Sequence, residues 1–433
     1  MAVTSLRTEV TELLSGLIRL DTTNPPGNET VAANYLREYL EAAGLECELI
    51  ARSPERANLA TRIKGTGDGP SLLLLGHTDV VFADPAEWKV PPFSGEVGDG
   101  QIWGRGALDM KSQVAANAVA IASLAREGFR PSGDLIFAAT ADEENGVGFG
   151  LEWLCEEHPD AVRCDFCVNE GGGDRVQFGD DVYYLCASAE KMSSPFKIRA
   201  LGRSGHASMP GIADNALVKA AKLIQRIAEY RPEPQIQQEV EAFLGTVLGD
   251  VPTAASALDR ARELHPIAAD LVEPLLSATF SPTMITASQK RNVIPAVVEV
   301  TVDCRLLPGQ HQEHIEPMIR AVLGGDLEYE LEWLEAKGGT RSALDTPLWD
   351  AVESFVADSE PGARAVPICV AGFTDSHWLR DAFGTTAYGF FPLRTMPADV
   401  AATLIHSADE RIPVDDLELG LEWIRHAARA VCA

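Results

Sequence analysis

The chain is 433 residues long, 46% hydrophobic and 23% charged, with a formal net charge of -28; that length predicts two domains rather than one. So acidic a balance excludes nucleic acid as a partner, because phosphate binding needs clustered Lys and Arg, and no apolar run approaches the ~20 residues that span a bilayer. The start, Met1 to Arg7, lacks the basic-then-apolar pattern of a secretory leader, and eight scattered cysteines suit buried thiols in a reducing compartment, so a cytoplasmic location is expected.

Apolar residues at helical spacing (Val10, Leu13, Leu14, Leu17, Leu20) predict a first helix over 5–20, stopped by Asp21-Thr22-Thr23-Asn24-Pro25-Pro26-Gly27. A second helix is expected over 29–43 with Gly44 at its C-terminal end, then strands at 46–51 and 57–63. Leu72 to Leu75 read as a strand buried on both faces, with Gly76 turning the backbone into His77-Thr78-Asp79. Ligands bind at the carboxyl ends of strands in open α/β sheets. A histidine there, with a carboxylate two residues on, suits a metal ligand and the group that orients it. The plainer reading of the pair alone is a hydrogen-bonded loop.

Asp109 falls at the start of an Ala-rich helix, 112–126, either as a helix cap or as a bridging metal carboxylate. A buried strand at 134–140 ends in Asp142-Glu143-Glu144, and after a helix at 150–157 another strand, 164–168, ends in Asn169-Glu170-Gly171. One such acidic turn is unremarkable, whereas its repetition beside buried strands points to a site. Adjacent glutamates cannot serve one purpose: one can ligate a metal while the other faces a water as general base. A mixed His and carboxylate set suits Zn²⁺, Co²⁺ or Mn²⁺ better than Ca²⁺ or Mg²⁺. Cys164 and Cys167 form a lone C-x-x-C inside an apolar run and read as structural.

The character changes near residue 191. A strand at 194–201, Ser204-Gly205-His206, a helix at 214–229, a polar helix-rich stretch to 274, and strands at 283–288 and 297–303 compose a small α+β domain inserted at 191–306. It divides a larger α/β domain into 1–190 and 307–433. The α/β rhythm returns with helices at 310–322, 347–357 and 414–430 and strands at 327–333, 366–370 and 385–390. His206, His377 and His406 lie in Gly- or Ser-flanked turns beside apolar strands and are candidate ligands or catalysts. His158, His265, His311, His314 and His426 read as surface residues.

Taken in order, these motifs resemble metallopeptidase family M-20: Gly76-His77-Thr78-Asp79, Gly104-Arg105-Gly106 through Asp109-Met110-Lys111, Asp142-Glu143-Glu144, Asn169-Glu170-Gly171, Ser204-Gly205-His206, Asn292-Val293-Ile294-Pro295, Asp303 with Arg305, and His406. The resemblance covers nearly the whole chain. It implies a three-layer α/β catalytic domain of the zinc-peptidase type with an inserted α+β lid and dimerisation domain. It also implies two divalent metal ions, zinc first and cobalt or manganese as substitutes, held by His77, Asp109, Glu144, Glu170 and His406, with Asp109 bridging. Glu143 becomes the general base, Asp79 the orienter of His77, and His206 an oxyanion contact delivered across a homodimer. Asn292, Arg305 and Gly372 become substrate contacts, and a cis peptide is expected at Asp109-Met110.

The implied reaction is hydrolysis of the amide bond of an N-acyl amino acid or short peptide. The segment Ala371-Gly372-Phe373-Thr374 departs from the family's Gly-Gly-Thr/Ser pattern, and the insert at 233–280 leans toward the carboxypeptidase S branch. Two other readings are a metal-binding scaffold without turnover and a dinuclear aminopeptidase. The first conflicts with an intact Glu143, the second with the inserted domain.

Overall fold

The computed structural model describes residues 5–334 and 337–433, so Met1 to Thr4 of the segment read for a secretory pattern lie outside the described residues. The chain begins with α1 (Leu6–Ile18), capped by the Ser5 side chain, and α2 (Thr30–Ala42). Gly44 ends α2 at φ +86, the left-handed position that favours glycine. Strands β1 (Cys47–Ala51), β2 (Ala57–Ile63) and β3 (Leu72–His77) follow, then β4 (Glu96–Gly98) and β5 (Gln101–Trp103). Next come α3 (Lys111–Arg126), β6 (Leu135–Thr140), α4 (Leu151–Glu157), α5 (Pro159–Val162), β7 (Phe166–Asn169), β8 (Arg175–Phe178) and β9 (Asp181–Glu190).

The middle of the chain forms β10 (Met192–Ser193), β11 (Phe196–Leu201), β12 (Gly205–His206) and α6 (Ala216–Glu229). Helices α7 (Gln238–Leu248), α8 (Ala254–Leu264) and α9 (Pro266–Val272) lead to β13 (Thr279–Thr286), β14 (Val293–Ile294), β15 (Val297–Leu306), α10 (Gln312–Leu323), β16 (Tyr329–Trp333) and β17 (Thr340–Arg341). The last part is α11 (Pro347–Ser359), β18 (Arg364–Val370), α12 (Ser376–Phe383), β19 (Thr386–Gly389), α13 (Ala398–Leu404), β20 (Arg411–Pro413) and α14 (Val414–Cys432). No helix among the described residues is long and apolar enough to cross a membrane.

Two compact units result. The first comprises Met1–Ser188, Ser342–Ile368 and Thr374–Ala433, the second Ala189–Arg341 and Cys369–Phe373. The first is built on a sheet of order β1-β2-β6-β3-β7-β19-β9 with β8 and β18 against β9. Its centre is parallel: β3 pairs β6 on one side and β7 on the other, and β19 pairs β7. Every residue of β3 and β6 is buried, which the continuous apolar runs dictate, because a central parallel strand has helices over both faces. Alternation then sorts the side chains: Leu72, Leu74, Leu135 and Phe137 enter the core beneath α1, α3 and α14. Leu73, Leu75, Ile136 and Ala138 enter the core shared with α4, α5 and α12. Three layers, helix–sheet–helix, follow from that two-sided burial, as expected of an α/β fold.

The second unit is an antiparallel sheet of order β10-β15-β11-β16 with β13 beside β15. Alternate residues of β11 and β15 are buried, and Ile198, Val298, Val300 and Val302 pack with Ala220 and Leu223 of α6 and Ile315 and Ile319 of α10. Single-faced burial of this kind belongs to an α+β layer pair. The sequence places the end of this segment at 306, whereas the unit runs on to Arg341. The reason is β16, which pairs β11 from Phe196↔Trp333 to Ala200↔Tyr329, together with the apolar face of α10.

Gly76 also differs from expectation. It lies inside β3, paired with Ala139, and is no turn residue. A Cβ there would come within 2.8 Å of Val114 Cγ2, so the glycine lets α3 pack tightly against β3.

Candidate metal centre

Parallel pairing puts the ends of β3, β6 and β7 side by side, and each leads into a polar residue of interest. His77 is the last residue of β3 and 1% exposed. Its Nδ1 donates to the main-chain oxygen of Asp79 at 3.0 Å. That bond assigns the proton to Nδ1 and leaves the Nε2 lone pair for a ligand. Nε2 lies 3.1 Å from Asp109 Oδ1, 3.6 Å from Glu170 Oε2 and 4.0 Å from Glu143 Oε2.

Asp109 precedes α3, and the Asp109-Met110 peptide is cis as expected. Met110, not Asp109, is the residue that caps the helix. The second oxygen of Asp109, Oδ2, is 3.1 Å from His406 Nε2, and that nitrogen is 3.2 Å from Glu144 Oε2. Each oxygen of one carboxylate therefore faces a different imidazole. His406 sits at φ +59 between α13 and β20, a backbone region that non-glycine residues rarely adopt and that concentrates at functional sites.

Asp79 is fully buried, and its carboxylate holds more than His77. Oδ1 accepts the N–H of Glu143 at 3.2 Å, and Oδ2 accepts the N–H of Glu144 at 3.1 Å and the Asn24 amide at 2.9 Å. The same Asn24 amide reaches Asp142 Oδ1 at 3.1 Å. Asp142 also takes Arg56 Nη2 at 3.0 Å, while Arg56 forms a two-pronged pair with Glu29 at 2.6 and 2.8 Å. A chain of buried polar groups thus fixes the Glu143–Glu144 turn from below. Glu170 is fixed differently. Gly389 in β19 lies so close that a Cβ would stand 1.8 Å from the Glu170 carbonyl oxygen.

The electrostatics call for cations. Four carboxylates (Asp109, Glu143, Glu144, Glu170) share the space with two imidazoles. Burial, reinforced by the charge of Glu170, pushes the Glu143 carboxyl well above the usual carboxylate range. Burial likewise pushes Glu170 up to about 7. Hydrogen bonds to Asp109 and Glu144 push the His406 imidazole up to about 10. His77 is raised too, although burial opposes it, because the negative charge of Glu170 and its hydrogen bonds to Asp109 and Asp79 outweigh the desolvation. Burial disfavours the charged form of Asp109, yet hydrogen bonds from both imidazoles win and lower its pKa.

A metal ion fits this donor set. Ligand atoms about 2.0–2.1 Å from a tetrahedral ion stand ~3.3 Å from one another, and the separations here run from 3.1 to 3.6 Å. The donor atoms of His77, Asp109 and Glu144 lie within 4.8 Å of one another, as do those of His77, Glu143 and Glu170. Glu144 Oε1 is buried without a hydrogen-bond partner, as a ligand oxygen is before its ion arrives.

The structure brings together His77, Asp79, Asp109, Glu143, Glu144, Glu170 and His406. The other expected site residues, His206, Asn292, Arg305 and Gly372, belong to the second unit. There His206 and Asn292 are exposed, and Arg305 is paired with Asp303 at 3.0 Å. His377 is buried in α12, edge-on to Trp378, and is in neither metal-capable group. His426, read as a surface residue, is half-buried, bonded to Ser354 and stacked near Trp423.

Sequence reasoning missed Asn24, Arg56, Asp142, Asp375 and Glu410. Asp375 is buried, accepts Thr140 Oγ1 at 3.0 Å, and is pushed up to about 8 chiefly by burial. Of these, only Asp142 and Asp375 carried a signal, a carboxylate beside an apolar strand.

Known proteins resemble the chain over most of its length. The sequence profile described as Peptidase family M20/M25/M40 matches residues 73–430. A succinyl-diaminopimelate desuccinylase of Paracoccus denitrificans is 27% identical over 415 residues, covering 94% of each chain. Aminoacylase-1 of Sus scrofa is 27% identical over 406 residues, covering 91% of this chain and 88% of its own. Among solved structures, an M20 family metallo-carboxypeptidase of Sulfolobus solfataricus has the same fold, with a TM-score of 0.73 over 98% of this chain and 99% of that one at 17% identity.

Proposed function

The chain belongs to peptidase family M20/M25/M40, and from that premise we propose that it is a dinuclear metal hydrolase that cleaves the amide bond of an N-acyl amino acid or a short peptide. The observation that carries the reading is Asp109, whose two oxygens each stand 3.1 Å from a different imidazole nitrogen. On the motif resemblance, Asp109 would bridge two ions, His77 and Glu170 would complete one site, and Glu144 and His406 would complete the other. These residues would hold two divalent ions, zinc by preference or else cobalt or manganese, which would supply polarisation of the amide carbonyl and a lowered pKa for water at the site.

The chain's own residues do the rest. Glu143 takes the proton of the attacking water and passes it to the leaving nitrogen as the C–N bond breaks. Asp79 holds His77 in the metal-binding tautomer and fixes the main chain of Glu143 and Glu144. His206 is proposed to stabilise the oxyanion. Its Nδ1 accepts the Ser208 N–H at 3.2 Å, so the neutral ring carries its proton on Nε2, the donor such a role needs.

Asn292, Arg305 and Gly372 are proposed substrate contacts on the strength of the motif resemblance alone. A homodimer through the second unit is proposed with them. It is supported by Met209, Ile212, Val218, Met284 and Ile285, apolar side chains that are each at least 50% exposed. Desuccinylase and aminoacylase relatives make acylated amino acids the first substrates to try.

The test is a panel of N-acyl amino acids and dipeptides given to chelated protein with and without added Zn²⁺, Co²⁺ or Mn²⁺. Activity restored by metal is expected. Two tightly bound ions with no cleavage anywhere on the panel favour the scaffold reading, and cleavage of free-amine peptides alone favours the aminopeptidase.

A further inference from the structure

The loop that presents Asp109 runs from Gly104 to Met110, between β5 and α3, and it is organised by one residue far along the chain. The main-chain oxygen of Glu410 accepts the Gly104 N–H at 2.9 Å. Glu410 Oε1 accepts the N–H groups of Leu108 at 2.7 Å and Asp109 at 3.1 Å. Oε2 accepts the Gly106 N–H at 3.1 Å and Arg105 Nη1 at 2.5 Å. The carboxylate is wholly buried, so these are its only means of replacing water. Glu410 also stands four positions after His406 and leads into β20, which pairs with β5 through Arg411↔Trp103.

We propose that Glu410 is a positioning residue that sets the spacing between Asp109 and His406 and so completes the ion site formed by Asp109, Glu144 and His406. The proposal rests on the dinuclear reading above. Among the described residues, the hydrogen bonds of Glu410 go to main-chain groups and to Arg105, not to a ligand side chain. It fixes the main chain under one ligand while its own main chain carries the other. Four donors converge on two oxygens, and only a carboxylate accepts at both. Glutamine must turn its NH₂ toward two N–H groups or toward one N–H and a guanidinium, so either orientation leaves buried donors facing donors. Aspartate is one methylene too short to reach both sets. The two ion sites share Asp109, but only one takes His406; the other draws on His77 and Glu170, which hang from the ends of β3 and β7. Loss of Glu410 is therefore expected to weaken the His406 site more than the other.

The test is metal affinity at both sites in the full chain, by dialysis against buffered Zn²⁺ and by the visible absorption of bound Co²⁺, for wild type and Glu410→Gln. Wild type is expected to hold two ions. The variant is expected to bind one of them about 10–100-fold more weakly, the loss typical of groups that orient metal ligands, with the other changed by a few-fold at most. Arg105→Gln, which removes one of the four donors, is expected to show the same selective loss in smaller measure. It decides the matter if Glu410→Gln does not fold.

Two ions bound by the variants with wild-type affinity would overturn the proposal. So would equal weakening of both ions alongside a lower melting temperature, which is what a merely structural role predicts. A wild-type protein that never holds two ions removes the dinuclear reading itself, and this proposal with it.

Discussion

Glu143 and Glu144 are neighbours held by one carboxylate, yet they face different tasks. Asp79 grips both main-chain N–H groups, so Glu144 can point at His406 while Glu143 keeps its distance from His77. Replacing Glu143 by Gln is expected to lower kcat at least ~100-fold, the low end for a lost general base, while metal content stays at the wild-type level. Near-native turnover would remove Glu143 from that role. Asp79→Ala is expected to behave differently, because two buried N–H groups and the Asn24 amide lose their acceptor, each at ~1–3 kcal/mol. Both melting temperature and metal content should fall, and a variant with intact stability would show that the turn holds itself. The proposed ligands could be singled out in the sequence because metal chemistry uses few residue types, set here in polar turns beside buried elements. Arg56 and Asn24 could not, because their work lies in contacts to residues far away in the chain, and nothing local distinguishes Arg56 from a surface arginine.

Strands β3 and β6 and helix α3 could be read directly, since burial on both faces writes an unbroken apolar run. The sheet of β4, β5 and β20 could not: its strands are three residues long, and β20 comes from the far end of the chain. Nor could the role of β19, where what matters is an absent side chain. Gly389→Ala is expected to push a methyl against the Glu170 carbonyl, now 1.8 Å from the ideal Cβ position. Overpacking of this kind costs about 1–3 kcal/mol or more. Thermal unfolding and metal content together check it. A lowered melting temperature with a weakened metal site is expected, and full affinity for both ions would show that the backbone adapts.

Over the whole molecule, all eight cysteines are free and seven are buried, as the absence of a paired cysteine framework suggested. Burial pushes every one of these seven thiols up, Cys164, Cys304 and Cys432 to about 12. Unfolded thiols ionise near 8.5, so above that pH the unfolded chain binds fewer protons than the folded one. Folded-state stability that is complete below pH ~8.5 is therefore lost as pH rises toward the folded values. Two buried amines oppose this, Lys111 at about 7 and Lys191 at about 8, but they are two against seven. Melting temperatures between pH 8 and 10 should fall, and a rise would mean that the amines dominate. Division of the chain into a large α/β unit and an inserted α+β unit was legible from the change in rhythm. The extension to Arg341 was not, because a helix and a strand following an insertion look alike whichever sheet they join.

The bond from Glu410 to the Asp109 N–H spans 301 positions of the chain. Closing a loop of that length in a flexible chain costs ~5 kcal/mol by the logarithmic rule, far more than one hydrogen bond returns. The contact becomes affordable only once everything between has folded and brought the ends together. Catalytic competence is then a certificate of finished assembly: a partly folded molecule can own five of the site's side chains and remain inert. On refolding, metal-dependent activity should return after far-UV circular dichroism has recovered, and simultaneous return would show that the two ends meet early.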